Sequence, residues 1–164
     1  MAGSNSGAAA GGAEIDWAAL RAVATDALTR SYSPYSRFPV GVAALVDDGR
    51  VVRGANIENA SYGVTLCAEC SLVSDLVMGG GGKLVAFTCV DGTGAVLMPC
   101  GRCRQLLFEH SAPGMLLETL SGIRTIDEVL PDAFGPRTLE AYSAPSAEER
   151  PAPLDATRKE STHG

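Results

Sequence analysis

At 164 residues the chain has room for one domain and one hydrophobic core. A net charge of −6 and a pI near 4.8 supply no basic face to release counterions from phosphates, which argues against DNA or RNA and for a small neutral ligand. Although 46% of the residues are apolar, no run is long enough to cross a bilayer, and residues 1–12 lack the basic start and apolar centre of a signal peptide, so a cytoplasmic location with no membrane partner is expected.

Residues 1–13, rich in Gly, Ala, Ser and Asn, read as a flexible leader before a domain spanning 14–140. Residues 15–30 form an Ala-rich amphipathic helix pattern, with Trp17, Leu20, Val23, Ala24 and Leu28 on one face. Ser33 and Pro34 break it. Residues 40–46 and 51–57 are β-rich and flank Asp47-Asp48-Gly49-Arg50, a hairpin with Asp-Gly at the turn. After a loop, residues 67–78 predict a helix that the glycines at 79–82 stop. A strand follows at 84–90, then a turn at 91–94, a helix at 100–110, a strand at 115–120 and a short helix at 126–130. From Ala141 the composition shifts to Ala, Pro, Ser and charge, which predicts a disordered tail over 141–164. Helix, hairpin, helix, strand, helix, strand implies an α/β domain with helices on both faces of a mixed sheet.

Four of the five cysteines fall in two C-x-x-C pairs, Cys67 with Cys70 and Cys100 with Cys103. In a cytoplasmic chain that pattern favours metal over disulfides. The first pair encloses a carboxylate, in Cys67-Ala68-Glu69-Cys70; the second lies in Pro99-Cys100-Gly101-Arg102-Cys103. A thiolate, a carboxylate two residues on, and a distant P-C-x-x-C is the layout of zinc deaminases acting on bases, where the Glu is an acid/base and not a ligand. Cys67, Cys100 and Cys103 would hold Zn²⁺ and leave one position open for the water that becomes the nucleophile. Both clusters open predicted helices, whose N–H groups favour thiolates. Three thiolates against one divalent ion still leave excess negative charge, and Arg102 and Arg104 are candidates to offset it. The rival arrangement is a closed, structural Cys₄ zinc site that includes Cys70, which would leave Glu69 without a task. Cys89 reads as a core thiol and His110 as a residue at a helix C-terminus.

The chain also resembles the small homotetrameric cytidine deaminases, over residues 17–134. The resemblance rests on five segments in order: Tyr35-Ser36-Arg37-Phe38-Pro39-Val40-Gly41, Asn56-Ile57-Glu58-Asn59-Ala60-Ser61-Tyr62, Cys67-Ala68-Glu69, Pro99-Cys100-Gly101-Arg102-Cys103-Arg104-Gln105 and Leu130-Pro131-Asp132-Ala133-Phe134. It implies a three-layer α/β/α fold, one Zn²⁺ per chain, and hydrolysis of cytidine and 2′-deoxycytidine to the uridines with release of ammonia. Asn56 and Glu58 would bind the ribose hydroxyls, and Phe38 would flank the pyrimidine. Ala68 and the two ligand helices would hold its edge. Ala60 and Tyr62 would lie near a subunit boundary, and Phe134 would reach a neighbour's site, so that a homotetramer completes its own pockets. One departure concerns position 70: familiar members carry Arg directly after the catalytic Glu, where it offsets the thiolate charge, whereas this chain has Cys70. A relative acting on a nucleoside antibiotic such as blasticidin S would share the zinc core, but it would not be expected to keep Phe38 and the Asn56-x-Glu58 pair.

Overall fold

A computed structural model describes residues 14–140; the expected leader and tail lie outside the described residues. Alternation along the strand Val40–Val46 (β1) decides the layers. Val42, Ala44 and Val46 pack into one apolar cluster, while Ala43 and Leu45 pack into another on the opposite face. β1 pairs antiparallel with Val51–Ala55 (β2) across the predicted turn, where Gly49 adopts φ 89°. On its other edge β1 pairs antiparallel with Leu84–Asp91 (β3), so that Val42 faces Cys89 and Ala44 faces Phe87. Ser111–Thr119 (β4) runs parallel to β3, and Gly122–Thr125 (β5) closes the sheet antiparallel, giving the order β2-β1-β3-β4-β5.

The helix Trp17–Leu28 (α1) covers one face. Asp16 caps it by accepting a hydrogen bond from the Ala19 N–H at 2.9 Å. Trp17, Leu20 and Ala24 bury against Ala43, Ala86 and Val90, as the helical periodicity predicts. Glu118 of β4 anchors the layer on that face, accepting from Arg21 of α1 and from the Thr88 hydroxyl of β3 at 2.8 Å. The other face carries Ala68–Met78 (α2), Gly101–His110 (α3) and the short Ile126–Val129 (α4), whose Leu72, Leu76, Leu107 and Ile126 enclose Phe87, Met115 and Leu117. The domain is therefore a three-layer α/β/α sandwich around a mixed sheet.

β2 ends at Ala55 and not at Ile57, the loop after it contains a single 3-10 turn at Tyr62–Val64, and three further elements differ from the expectation. β4 begins at Ser111, not Met115, because it leaves α3 without a connecting loop. β5 was not expected: four residues of mixed polarity carry no readable alternation. A terminal helix, Pro136–Glu140 (α5), also lacks a readable pattern at five residues. No helix among the described residues is long and apolar enough to cross a membrane.

Candidate metal centre

Two helix starts converge on the chemistry. Cys67 is the N-cap of α2 and Cys100 the N-cap of α3, with Cys103 in the first turn of α3. α2 approaches the sheet closely because β2 presents Gly54 to it. A Cβ at Gly54 would lie 2.3 Å from the Ala68 carbonyl oxygen and 2.5 Å from the Leu72 nitrogen. Ser71 fastens the contact: its hydroxyl accepts from the Ala55 N–H at 3.0 Å, and its single hydrogen has the Ala55 and Ala68 carbonyls as alternative acceptors, each at 2.9 Å.

The sulfurs of Cys67, Cys100 and Cys103 all lie within 4.8 Å of one another. That suits one zinc ion: bonds of about 2.3 Å to tetrahedral corners set sulfurs roughly 3.8 Å apart. Three donors leave a corner free. Cys70 is not in the cluster. Its sulfur faces Arg102 of α3, whose Nη2 lies 3.6 Å away, which disfavours the closed four-cysteine site. Before metal binding, burial pushes the Cys67 and Cys103 thiols up. Cys100 moves down: its partial burial opposes ionisation, but the Cys103 N–H and the adjoining thiols outweigh it. Glu69, only 3% exposed, has its carboxyl raised by burial, with Arg102 acting in the opposite sense. Arg104 serves elsewhere than the sequence suggested. It donates to the Val129 carbonyl at 2.8 Å and holds α4 in place.

Cys67, Glu69 and Cys100 line a cavity of about 200 Å³ together with Asn56 and Ala68. Its walls include Val40, from the first of the five segments, and Leu66, Leu97 and Met98, apolar residues that carry no motif and that sequence reasoning passed over. Cys89 is buried, as a core thiol should be, yet it also forms part of the cavity wall, and burial pushes its thiol up and keeps it neutral. A second cavity of about 420 Å³ shares Thr65 with the first and is lined by Tyr35, Ser36, Glu58 and Tyr62.

Asn56 is buried, and its amide is largely engaged. Oδ1 accepts from the Ser31 hydroxyl at 2.6 Å and the Val40 N–H at 2.9 Å, while Nδ2 donates to the Phe38 carbonyl at 3.0 Å. One N–H remains to offer. The Glu58 carboxylate accepts from the Ser36 hydroxyl and from the N–H groups of Tyr35 and Ser36, and these bonds hold it below the usual carboxylate range. The rings of Tyr35 and Tyr62 meet edge to face at 6.1 Å. Phe38 and Ala60 are exposed and outside the metal cavity. Phe134 is 57% exposed and tethered only through its carbonyl, which accepts from Gln105 Nε2 at 2.8 Å; its ring is not among the groups lining the metal cavity.

A mixed α/β/α sheet carrying a three-cysteine metal cradle, one open coordination position and a buried carboxylate beside it defines the class of zinc-dependent hydrolytic deaminases. Residues 16–118 match the family model described as the cytidine and deoxycytidylate deaminase zinc-binding region. A cytidine deaminase of Mycobacterium tuberculosis is 58% identical over 122 residues, covering 74% of this chain and 92% of that protein. Its crystal structure aligns at TM-score 0.72 over 74% of this chain and 98% of the other, and that of Mycobacterium leprae cytidine deaminase aligns at 0.70 with 56% identity over 71% and 98%. A cytidine deaminase structure from Burkholderia pseudomallei aligns at 0.65 with 35% identity over 73% of this chain and 100% of that one. The chain belongs to the cytidine deaminase family, and its Cys67, Cys100 and Cys103 form a cluster that could hold the zinc.

Proposed function

We propose that the chain hydrolyses cytidine and 2′-deoxycytidine to uridine and 2′-deoxyuridine with release of ammonia, in cytoplasmic pyrimidine salvage. One observation carries the reading: buried Glu69 stands beside the three-cysteine cradle, in a cavity that Asn56 also lines. Zinc held by Cys67, Cys100 and Cys103 supplies the Lewis acidity that makes water nucleophilic at neutral pH. Glu69 takes a proton from the water that attacks C4 and returns protons to N3 and to the departing amine. Val40, Leu66, Leu97 and Met98 keep bulk water from the ring. The backbone at Ala68 holds the pyrimidine edge and Phe38 packs against the ring. Asn56 donates to a sugar hydroxyl and Glu58 accepts from one. Phe134, exposed in its own subunit, is supplied to a neighbour, with Ala60 and Tyr62 near the boundary of a homotetramer.

The test is ammonia release by the zinc-loaded protein on cytidine, 2′-deoxycytidine, deoxycytidylate, cytosine and blasticidin S, with metal content measured alongside. Turnover of the two nucleosides is expected. Turnover of blasticidin S alone, or none despite one zinc per chain, would sink the assignment.

A further inference from the structure

The centre gathers more negative charge than its metal cancels. Three thiolates against a divalent ion leave one unit, and Glu69 adds another nearby. The N-termini of α2 and α3 contribute only about half a positive charge each. A full cation is needed, and the partners of the arginines narrow the choice. Arg104 is committed to the Val129 carbonyl, Arg21 to Glu118 and Arg53 to Asp26. Arg50 holds the carbonyls of Gly79 and Gly81. Arg102 instead crosses from the first turn of α3 to the first turn of α2, where its Nη2 lies 3.6 Å from the Cys70 sulfur. It is flanked in sequence by Gly101 and the ligand Cys103, and its field reaches the Glu69 carboxyl.

We propose that Arg102, docked on Cys70 across the seam between the two ligand helices, is the positioning cation that offsets the thiolate charge of this centre. Cys70 is then neither a metal ligand nor filler. It is the soft acceptor that parks the guanidinium over the seam. The charge that a cation at position 70 would bring from α2 arrives from α3 instead. With Arg102 in place, the net negative charge of a zinc–trithiolate centre would be partly offset and the metal would remain the stronger Lewis acid, so both metal retention and the chemical step would depend on it.

The proposal rests on the zinc-deaminase reading, so its first readout needs no substrate. Zinc transfer from the holoenzyme to a chromogenic chelator is followed for wild type, Arg102→Ala, Arg102→Lys and the pair Cys70→Arg with Arg102→Ala. Arg102→Ala should release zinc about tenfold faster at low salt, the scale of one unit charge at a partly exposed site. The gap should narrow as added salt screens the charge. On cytidine the same variant should lose kcat by a comparable factor and change KM by less than about twofold. Arg102→Lys should recover part of both losses, and Cys70→Arg in the Arg102→Ala background should recover most. Wild-type zinc transfer by Arg102→Ala overturns the proposal. So does a loss that salt leaves unchanged, or one that neither compensating variant repairs, since each would mean a packing role. If wild type itself does not turn over cytidine, the substrate assignment fails while the zinc measurements still decide the role of Arg102.

Discussion

Replacing Gly54 with Ala tests how the sheet positions the chemistry. The new methyl group would lie 2.3 Å from the Ala68 carbonyl oxygen and 2.5 Å from both the Leu72 nitrogen and the Ser71 hydroxyl. Carbon and carbonyl oxygen settle no closer than about 3.3 Å, so the start of α2 must retreat by roughly 1 Å. Two of the three blocking atoms are backbone and cannot swing aside. Overpacking of this kind costs about 1–3 kcal/mol, or roughly 4–12 °C in Tm for a domain of this size. The retreating segment holds Cys67 and Glu69, and a displacement of about 1 Å at a reacting group costs on the order of 10²-fold in rate. Melting temperature, zinc content and kcat on cytidine would be measured together. Gly101→Ala is the stability control, because a Cβ there meets nothing within 4 Å. A Gly54→Ala protein with wild-type Tm and kcat would refute the claim that this contact sets the height of α2.

Glu69→Gln should keep one zinc per chain and lose at least about 10²–10⁴-fold in kcat, since one carboxyl handles every proton transfer; wild-type turnover would remove Glu69 from the mechanism. Cys70→Ala should keep its zinc stoichiometry by metal analysis, whereas a drop matching that of Cys67→Ala would make Cys70 a ligand. Phe134→Ala should raise the KM for cytidine, and mixing it with Glu69→Ala under subunit exchange should give more activity than the two parts summed; a merely additive mixture would assign Phe134 to its own subunit. Glu58 has its carboxyl lowered by the Ser36 hydroxyl and the Tyr35 and Ser36 N–H groups, so its hold on that loop is present above the ordinary carboxylate pKa and is lost as pH falls through the lower, folded-state value. The Tyr35 and Ser36 amide resonances should therefore shift together below about pH 4, and not in Glu58→Gln; amides indifferent to that titration would contradict the contact.

Much of the architecture was legible because its signals are periodic. The α1 face from Trp17 to Leu28, the Asp-Gly hairpin and the apolar runs of β1 and β3 each follow from spacing alone, and the structure keeps them. The metal cradle was legible for a different reason: its chemistry needs rare residues at narrow spacing, and Cys67, Cys100 and Cys103 do converge. β5 and α5 were not legible, being too short for any period to emerge. Nor were the cavity walls at Leu66, Leu97 and Met98, since an apolar residue looks the same in sequence whether it faces a core or a ligand. The two arginines of α3 were indistinguishable on paper. Only the packing of α4 shows that Arg104 is drawn away to a carbonyl while Arg102 turns to the seam.

The Asn56 side chain behaves as a surrogate peptide unit. Its amide bonds to the Val40 N–H and the Phe38 carbonyl in the way a neighbouring strand would; the backbone N–H of Asn56 still reaches the Val40 carbonyl at 3.3 Å, but its own carbonyl turns to the Tyr32 N–H, and Oδ1 takes that carbonyl's place in the ladder. Under the proposed sugar contact, folding and recognition would draw on the same amide. An Asp of identical shape would face the Phe38 carbonyl with an oxygen and unpick the rung, and shorter or longer side chains would miss it. Drift in substrate preference would thereby be steered away from position 56. New sugar specificities would have to arise at neighbours that carry less of the fold, such as Tyr62, exposed at the mouth of the second cavity.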